Sequence, residues 1–161
     1  RSNASIGQGM NYFTPLQLAR YISTLVNNGT RYEVKLVDKI IDGETGEIIQ
    51  DITPQIISQA QFNESNIAAV KEGMQDVTTG ENGTTNGTFN GFPIPNGGKT
   101  GTADYMLDDG SEGVPHGWFI SAAPLDDPKI AVAVIVEQGE NGAGSAADIA
   151  SKVVRAAVLG E

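Results

Sequence analysis

The chain contains no cysteine. That absence excludes disulfides, thiolate zinc sites and cysteine nucleophiles together, and leaves the redox compartment open. Positive charge is scarce: 10 Lys and Arg stand against 20 Asp and Glu in 161 residues, a formal net charge of -10. Such an excess repels a phosphate backbone or an anionic lipid surface, so nucleic acid is not an expected partner. Long apolar runs are missing too. The longest, Ile130 to Val136, has 7 residues, where a helix crossing a bilayer needs about 20. No basic start, apolar core and small-residue cleavage site occur together, so a signal peptide is not expected. The opening Arg1-Ser2-Asn3-Ala4 has the look of an expression-tag remnant, and residues 5–161 are read as one unit.

What is present begins with a helix start. In Thr14-Pro15-Leu16-Gln17, threonine can cap, proline occupies a position where its missing N–H costs nothing, and glutamine can close a capping box. The helix is expected to run to about Asn28, with Leu18, Ile22, Leu25 and Val26 on its core face and Gly29 as its left-handed stop. Between Glu33 and Gln50, two β-rich pieces flank Asp42-Gly43-Glu44-Thr45-Gly46, which predicts a hairpin. A second helix is expected over 65–77, with Ile67, Val70, Met74 and Val77 recurring at helical spacing and packing on the first helix. Gly73 weakens it by about 1 kcal/mol relative to alanine.

Residues 80–98 carry Asn-Gly pairs at 82, 86 and 90 and read as a mobile loop. Short strands follow over 98–105, 117–123 and 130–138. Their connections favour an antiparallel meander. The last helix, 145–159, is expected to lie on this sheet, with Ser145 as its cap and Ile149, Val153, Ala156 and Ala157 along its buried stripe. The pattern is α+β.

Chemistry concentrates at Gly98-Lys99-Thr100-Gly101-Thr102, a cation and two hydroxyls entering a strand. A Walker phosphate loop is excluded: it requires glycine five positions before Gly98, where Pro93 stands, and it runs from strand into helix. What remains is recognition of an anion along a strand edge. Lys99 attracts a carboxylate, and free backbone N–H groups hold an extended peptide or polarise a carbonyl. Such a pair about 4 Å apart is worth about 4 kcal/mol at an effective dielectric of 20, enough to orient a ligand. Gly101 permits close approach. The plainer reading makes Lys99 a surface lysine and Gly101 a bulge.

The ordered series Ser5-Ile6-Gly7-Gln8-Gly9, Thr14-Pro15-Leu16-Gln17-Leu18-Ala19, Gly98-Lys99-Thr100-Gly101-Thr102-Ala103 and Trp118-Phe119 resembles the transpeptidase domain of class B penicillin-binding proteins over nearly all of residues 5–161. The resemblance implies the C-terminal portion of a serine β-lactamase-like α+β fold: a three-stranded antiparallel meander with packed helices and a small hairpin. It also implies a parent enzyme that cross-links peptidoglycan stem peptides by serine acyl transfer and is acylated by β-lactams, anchored at the extracytoplasmic face of the bacterial cell membrane. No cofactor is implied. Lys99, Thr100 and Gly101 would belong to the wall that binds the terminal carboxylate of peptide or drug, and Thr102 would lend its backbone N–H to the oxyanion hole.

The departures from the family pattern are as informative. Its nucleophile is the serine of Ser-x-x-Lys, yet the residues three before the six lysines are Tyr32, Leu36, Ala68, Asn96, Asp126 and Ile149. Ser-x-Asn is missing as well. The nucleophile is therefore absent, and this chain alone is expected to be inactive. Ser5, Ser111, Ser121 and Ser145 have no lysine or histidine nearby in sequence and read as structural. An unfinished sheet edge at the strand 130–138 is expected to make the chain self-associate.

Two other readings compete. A β-lactam sensor or serine β-lactamase shares the Lys-Thr-Gly strand but fits the first two motifs poorly, and a non-enzymatic peptide- or protein-binding module would use the same strand edge. His116 among Asp104, Asp108, Asp109 and Glu112 could hold a divalent ion, against the simpler reading of a solvated acidic loop, and no metal site is assigned. Trp118 is a strand residue that could border the cleft.

Overall fold

A computed structural model describes residues 7–9 and 11–160; the tag-like residues 1–4 and the Ser5-Ile6 step of the first motif lie outside them. The central element is an antiparallel sheet of β5 (Gly97–Ala103), β6 (His116–Ala123) and β7 (Ile130–Val136), in that spatial order. The expected meander is present.

Helices cover both faces of this sheet. On one lie α1 (Pro15–Val26) and α2 (Glu64–Thr79), where Ile22, Val26 and Met74 pack with Ala122 and Leu125. On the other lie α3 (Asn86–Phe89) and α4 (Ala147–Leu159), with Phe89, Ala147, Ala150 and Val154 around Phe119 and Val132. Strand alternation separates the layers, since Phe119 and its neighbours Ile120 and Trp118 point to opposite faces. The α1 start is the predicted capping box, closed in both directions: Gln17 N–H donates to Thr14 Oγ1 at 3.2 Å and Thr14 N–H to Gln17 Oε1 at 2.8 Å. α2 extends two residues past Val77 and turns Thr78 inward, while Val70 stays exposed.

The hairpin forms as β2 (Lys39–Ile41) and β3 (Ile48–Asp51) around the 42–46 turn. Its isoleucines remain exposed, so the turn and the ladder hold it rather than burial. A second ribbon, which the sequence did not suggest, pairs β1 (Thr30–Tyr32) with β4 (Ile56–Gln59). Polar Thr30, Arg31, Ser58 and Gln59 break the alternation that would have marked it.

Two expectations are overturned. Residues 80–98 are not loop throughout: they contain α3, and β5 begins inside them. Phe89 is only 1% exposed, and the Thr85 hydroxyl and Asn86 amide donate to carbonyls at the end of α2. One buried aromatic and three side-chain bonds outweigh the glycine content. In α4, Ser145 is not the cap and the predicted stripe faces outward, with Ile149, Val153, Ala156 and Ala157 all exposed. A π-helical turn, Gly142–Ala146, precedes the helix, and Asn141 caps that turn by accepting from Gly144 N–H at 2.9 Å. The extra turn rotates the helix so that its small residues, Ala147, Ala150 and Ser151, meet the sheet with Val154. Small side chains allow the close approach, which periodicity weighted by side-chain size does not anticipate.

Candidate functional site: the edge strand β5

β5 is an edge strand, paired with β6 on one side and with no strand on the other among the described residues. Alternate residues of such a strand present N–H and C=O groups away from the ladder. Its buried start and accessible end differ in kind. Gly97 and Gly98 are buried, whereas Lys99 and Thr102 are exposed and Thr100 and Gly101 half-buried.

Packing explains the glycines. A Cβ on Gly98 would lie 2.9 Å from Phe119 Cε1 and 2.8 Å from Ile120 O, and one on Gly97 would lie 2.9 Å from Met74. Met74 of α2 and Phe119 of β6 thus crowd the first residues of β5 from opposite faces. Lys99 registers with Ile120 and Thr100 with Phe119, so the two side chains leave on opposite faces, as alternation requires. The Lys99 ammonium nonetheless returns to the edge and donates to Thr100 O at 2.7 Å. A cation and unpaired strand backbone therefore lie along one open edge.

Trp118 registers with Gly101, and a Cβ on that glycine would come within 3.2 Å of Trp118 Cβ. The indole is thus both a strand residue and a neighbour of the Lys-Thr-Gly edge. Behind the same pair, the backbone of Gly142 packs on the sheet, and a Cβ there would fall 2.6 Å from Gly101 O. This support was not foreseen. The run Asn141-Gly142-Ala143-Gly144 carried the signal, as glycine where one backbone approaches another.

Two of the hydroxyls considered as substitute nucleophiles, those of Ser111 and Ser145, are engaged elsewhere. Ser111 Oγ donates to Asp109 Oδ1 at 2.6 Å and Ser145 Oγ to Gly139 O at 3.0 Å; Ser121 is buried and its Oγ has no partner among the described residues. None meets a lysine or histidine, and Ser5 lies outside the described residues. His116 Nδ1 accepts from Gln138 N–H at 2.9 Å, and its ring lies 4.9 Å from that of Tyr105. Among the described residues no three His, Asp or Glu side chains converge as a metal site. Asp109 is held below the ordinary aspartate pKa by hydrogen bonds from the Ser111 hydroxyl and N–H, which makes the acidic loop a set of local turns. Two open clefts, of about 610 and 650 Å³, lie among α1, α2, β1 and β4, and no residue of β5 lines them.

The family model for the penicillin binding protein transpeptidase domain matches residues 1–155. The chain belongs to this family. It is 34% identical over 143 residues to penicillin-binding protein 2B of Streptococcus pneumoniae, covering 85% of this chain and 21% of that protein. Against the peptidoglycan D,D-transpeptidase MrdA of Haemophilus influenzae it is 35% identical over 167 residues, covering 94% of this chain and 25% of the relative. Among solved structures, a ceftriaxone acyl-enzyme complex of penicillin-binding protein A from Mycobacterium tuberculosis superposes with a TM-score of 0.80 at 30% identity, over 97% of this chain and 35% of that one. PBP2 of Pseudomonas aeruginosa in complex with WCK 5153 gives a TM-score of 0.74 at 33% identity, over 96% and 32%. The chain thus spans about a fifth to a quarter of the length of these curated relatives. The α+β fold of the family is the one observed.

Proposed function

We propose that this chain supplies the carboxylate-binding wall of a peptidoglycan D,D-transpeptidase, in which Lys99 and Thr100 hold the terminal carboxylate of a stem peptide or a β-lactam. Gly101 lets that ligand lie against the strand, and the Thr102 N–H stabilises the oxyanion of the acyl-transfer intermediate. A donor of this kind contributes about 2.7 to 4 kcal/mol in the transition state. The nucleophile comes from a Ser-x-x-Lys segment that these 161 residues do not contain. The whole enzyme acts at the outer face of the bacterial cell membrane and uses no cofactor.

The observation that carries the reading is the exposed Lys99 on an edge strand, with its ammonium turned back along the open edge beside Thr100. In the whole enzyme a ligand carboxylate replaces the Thr100 carbonyl as the acceptor from Lys99, exchanging a neutral partner for a charged one. The free edge of β7 likewise favours pairing with another chain when this one is alone.

Fluorescent penicillin tests the proposal. The isolated chain should take no covalent label, whereas the whole transpeptidase should be labelled and should lose about tenfold or more in acylation rate on Lys99→Ala, consistent with loss of a charge-assisted contact. A labelled band from the isolated chain, or an unaltered acylation rate in the variant, would refute it. Sedimentation should show concentration-dependent dimers, and a monomer throughout would rule out pairing through β7.

A further inference from the structure

Six asparagines are followed by glycine, at positions 28, 82, 86, 90, 96 and 141. In such a step the glycine nitrogen can attack the preceding side-chain amide, because no Cβ obstructs its approach and the backbone reaches the required conformation readily. The new bond joins Gly N to Asn Cγ. The Cγ–Nδ2 bond breaks, and ammonia leaves with the proton released by the glycine nitrogen. Water then opens the succinimide at either carbonyl, giving aspartate or isoaspartate. No electron is transferred. The reaction needs an uncommitted side-chain amide and an uncommitted glycine N–H.

Five of the six steps lack one of these. Gly29 N–H donates to Thr24 O at 2.8 Å and Gly83 N–H to Gly80 O at 2.9 Å. Asn86 Nδ2 donates to Thr79 O and Gly80 O at 3.2 and 2.9 Å, within the capped start of α3. Asn96 is 1% exposed, with Nδ2 donating to Ile94 O at 3.0 Å, and Gly97 is buried. Asn141 Oδ1 accepts from Gly144 N–H, and Gly142 is buried against the sheet. Asn90 and Gly91 differ. Both are exposed, and neither the Asn90 amide nor the Gly91 N–H has a hydrogen-bond partner among the described residues. Gly91 has φ +71 and nothing within 4 Å of where a Cβ would be.

We propose that Asn90 is a site of spontaneous covalent modification, converted to aspartate and isoaspartate by attack of the Gly91 nitrogen. Its position gives the change a structural effect. Phe92 N–H donates to Phe89 O at 3.0 Å across this step, and the two rings meet edge to face at 6.1 Å. Isoaspartate inserts a methylene into the backbone between them. Phe89 also packs on Phe119, at 5.7 Å, and Phe119 fills the space left by the missing Cβ of Gly98. A distortion at Asn90 therefore reaches the support of β5 through two aromatic contacts.

The test is peptide mapping by mass spectrometry after incubating the folded chain at 37 °C in mildly alkaline buffer, with isoaspartyl methyltransferase to detect the isomer. Asn90 should convert about tenfold faster than any of the other five, which must first open locally, and the modified protein should melt at a lower temperature. In concentrated urea the six rates should converge, showing that structure sorts them. Asn90→Ser should remove the isoaspartyl signal. Equal or faster conversion at another of the six in the folded chain would overturn the proposal, as would an unconverted Asn90 over a period in which the unfolded chain reacts.

Discussion

Gly142 lies directly against Gly101, so that a Cβ on Gly142 would fall 2.6 Å from the Gly101 carbonyl oxygen and 2.9 Å from its nitrogen. Backbone rests on backbone, and neither strand nor turn has a flexible side chain to move aside. Gly142→Ala should therefore destabilise the fold by about 1 to 3 kcal/mol, the usual range for overpacking. Gly144→Ala is the control, because its Cβ would meet only Asn141 Oδ1, at an ordinary 3.5 Å. Urea midpoints of the two variants should differ clearly, and equal midpoints would refute the close packing.

Lys99 and Phe119 should separate function from stability. Phe119 is 0% exposed at the centre of the α4-side core, and Phe119→Ala should cost about 3 to 5 kcal/mol. Lys99 is exposed and its side chain has a hydrogen bond, among the described residues, only to its neighbour's carbonyl, so Lys99→Ala should leave stability within about 0.5 kcal/mol. Thermal melts of both variants check the contrast.

The α1 start offers a quantitative test. Thr14→Ala removes the acceptor of the Gln17 N–H bond and should cost about 1 kcal/mol. Gln17→Leu should cost less, because the Thr14 N–H it leaves unpaired is exposed to water. Equal losses would mean that the two halves of the box act as one unit.

The hairpin turn should loosen in acid. Asp42 is held below its ordinary value of 3.8 chiefly by the N–H groups of Thr45 and Glu44, which donate to Oδ1 at 2.8 Å. A carboxyl group with a lowered folded pKa contributes stability that is complete above the unfolded value and is lost as pH falls through the folded one. Amide exchange at Glu44 and Thr45 should therefore accelerate, relative to the intrinsic rate, as pH drops below that of free aspartate. Asp42→Asn should flatten this dependence, and an unchanged pH profile in the variant would refute the assignment.

Much of the fold was legible because it rests on local chemistry. The Thr14 box, the 42–46 turn and the apolar strand 130–136 each need only a few neighbouring residues, and each appears where its pattern predicted. The edge position of β5 followed from the order of strands. The failures share a cause: long-range packing. Phe89 pinned a glycine-rich stretch that reads as loose, and contact with Gly101 and Gly117 turned α4 onto its alanines. The β1–β4 ribbon joins residues 24 to 29 positions apart, with polar pairs such as the Thr30 hydroxyl donating to Gln59 Oε1 at 2.8 Å, and carries no periodic trace. In the candidate site, Lys99 through Thr102 were singled out by residue type together with the ordered motifs of the family. Their glycine and phenylalanine scaffold was not, because a missing Cβ shows its purpose only when the atoms that occupy its place are known.

The crowding around β5 also limits how this strand can diversify. Gly97 and Gly98 are hemmed in by Met74, Leu125 and Phe119, and Gly101 has Trp118 on one side and Gly142 on the other. Substitution along β5 is thereby channelled to Lys99, Thr100 and Thr102, the non-glycine positions of its accessible end, or to surrounding loops. A lineage under pressure to change this ribbon has few places to write the change.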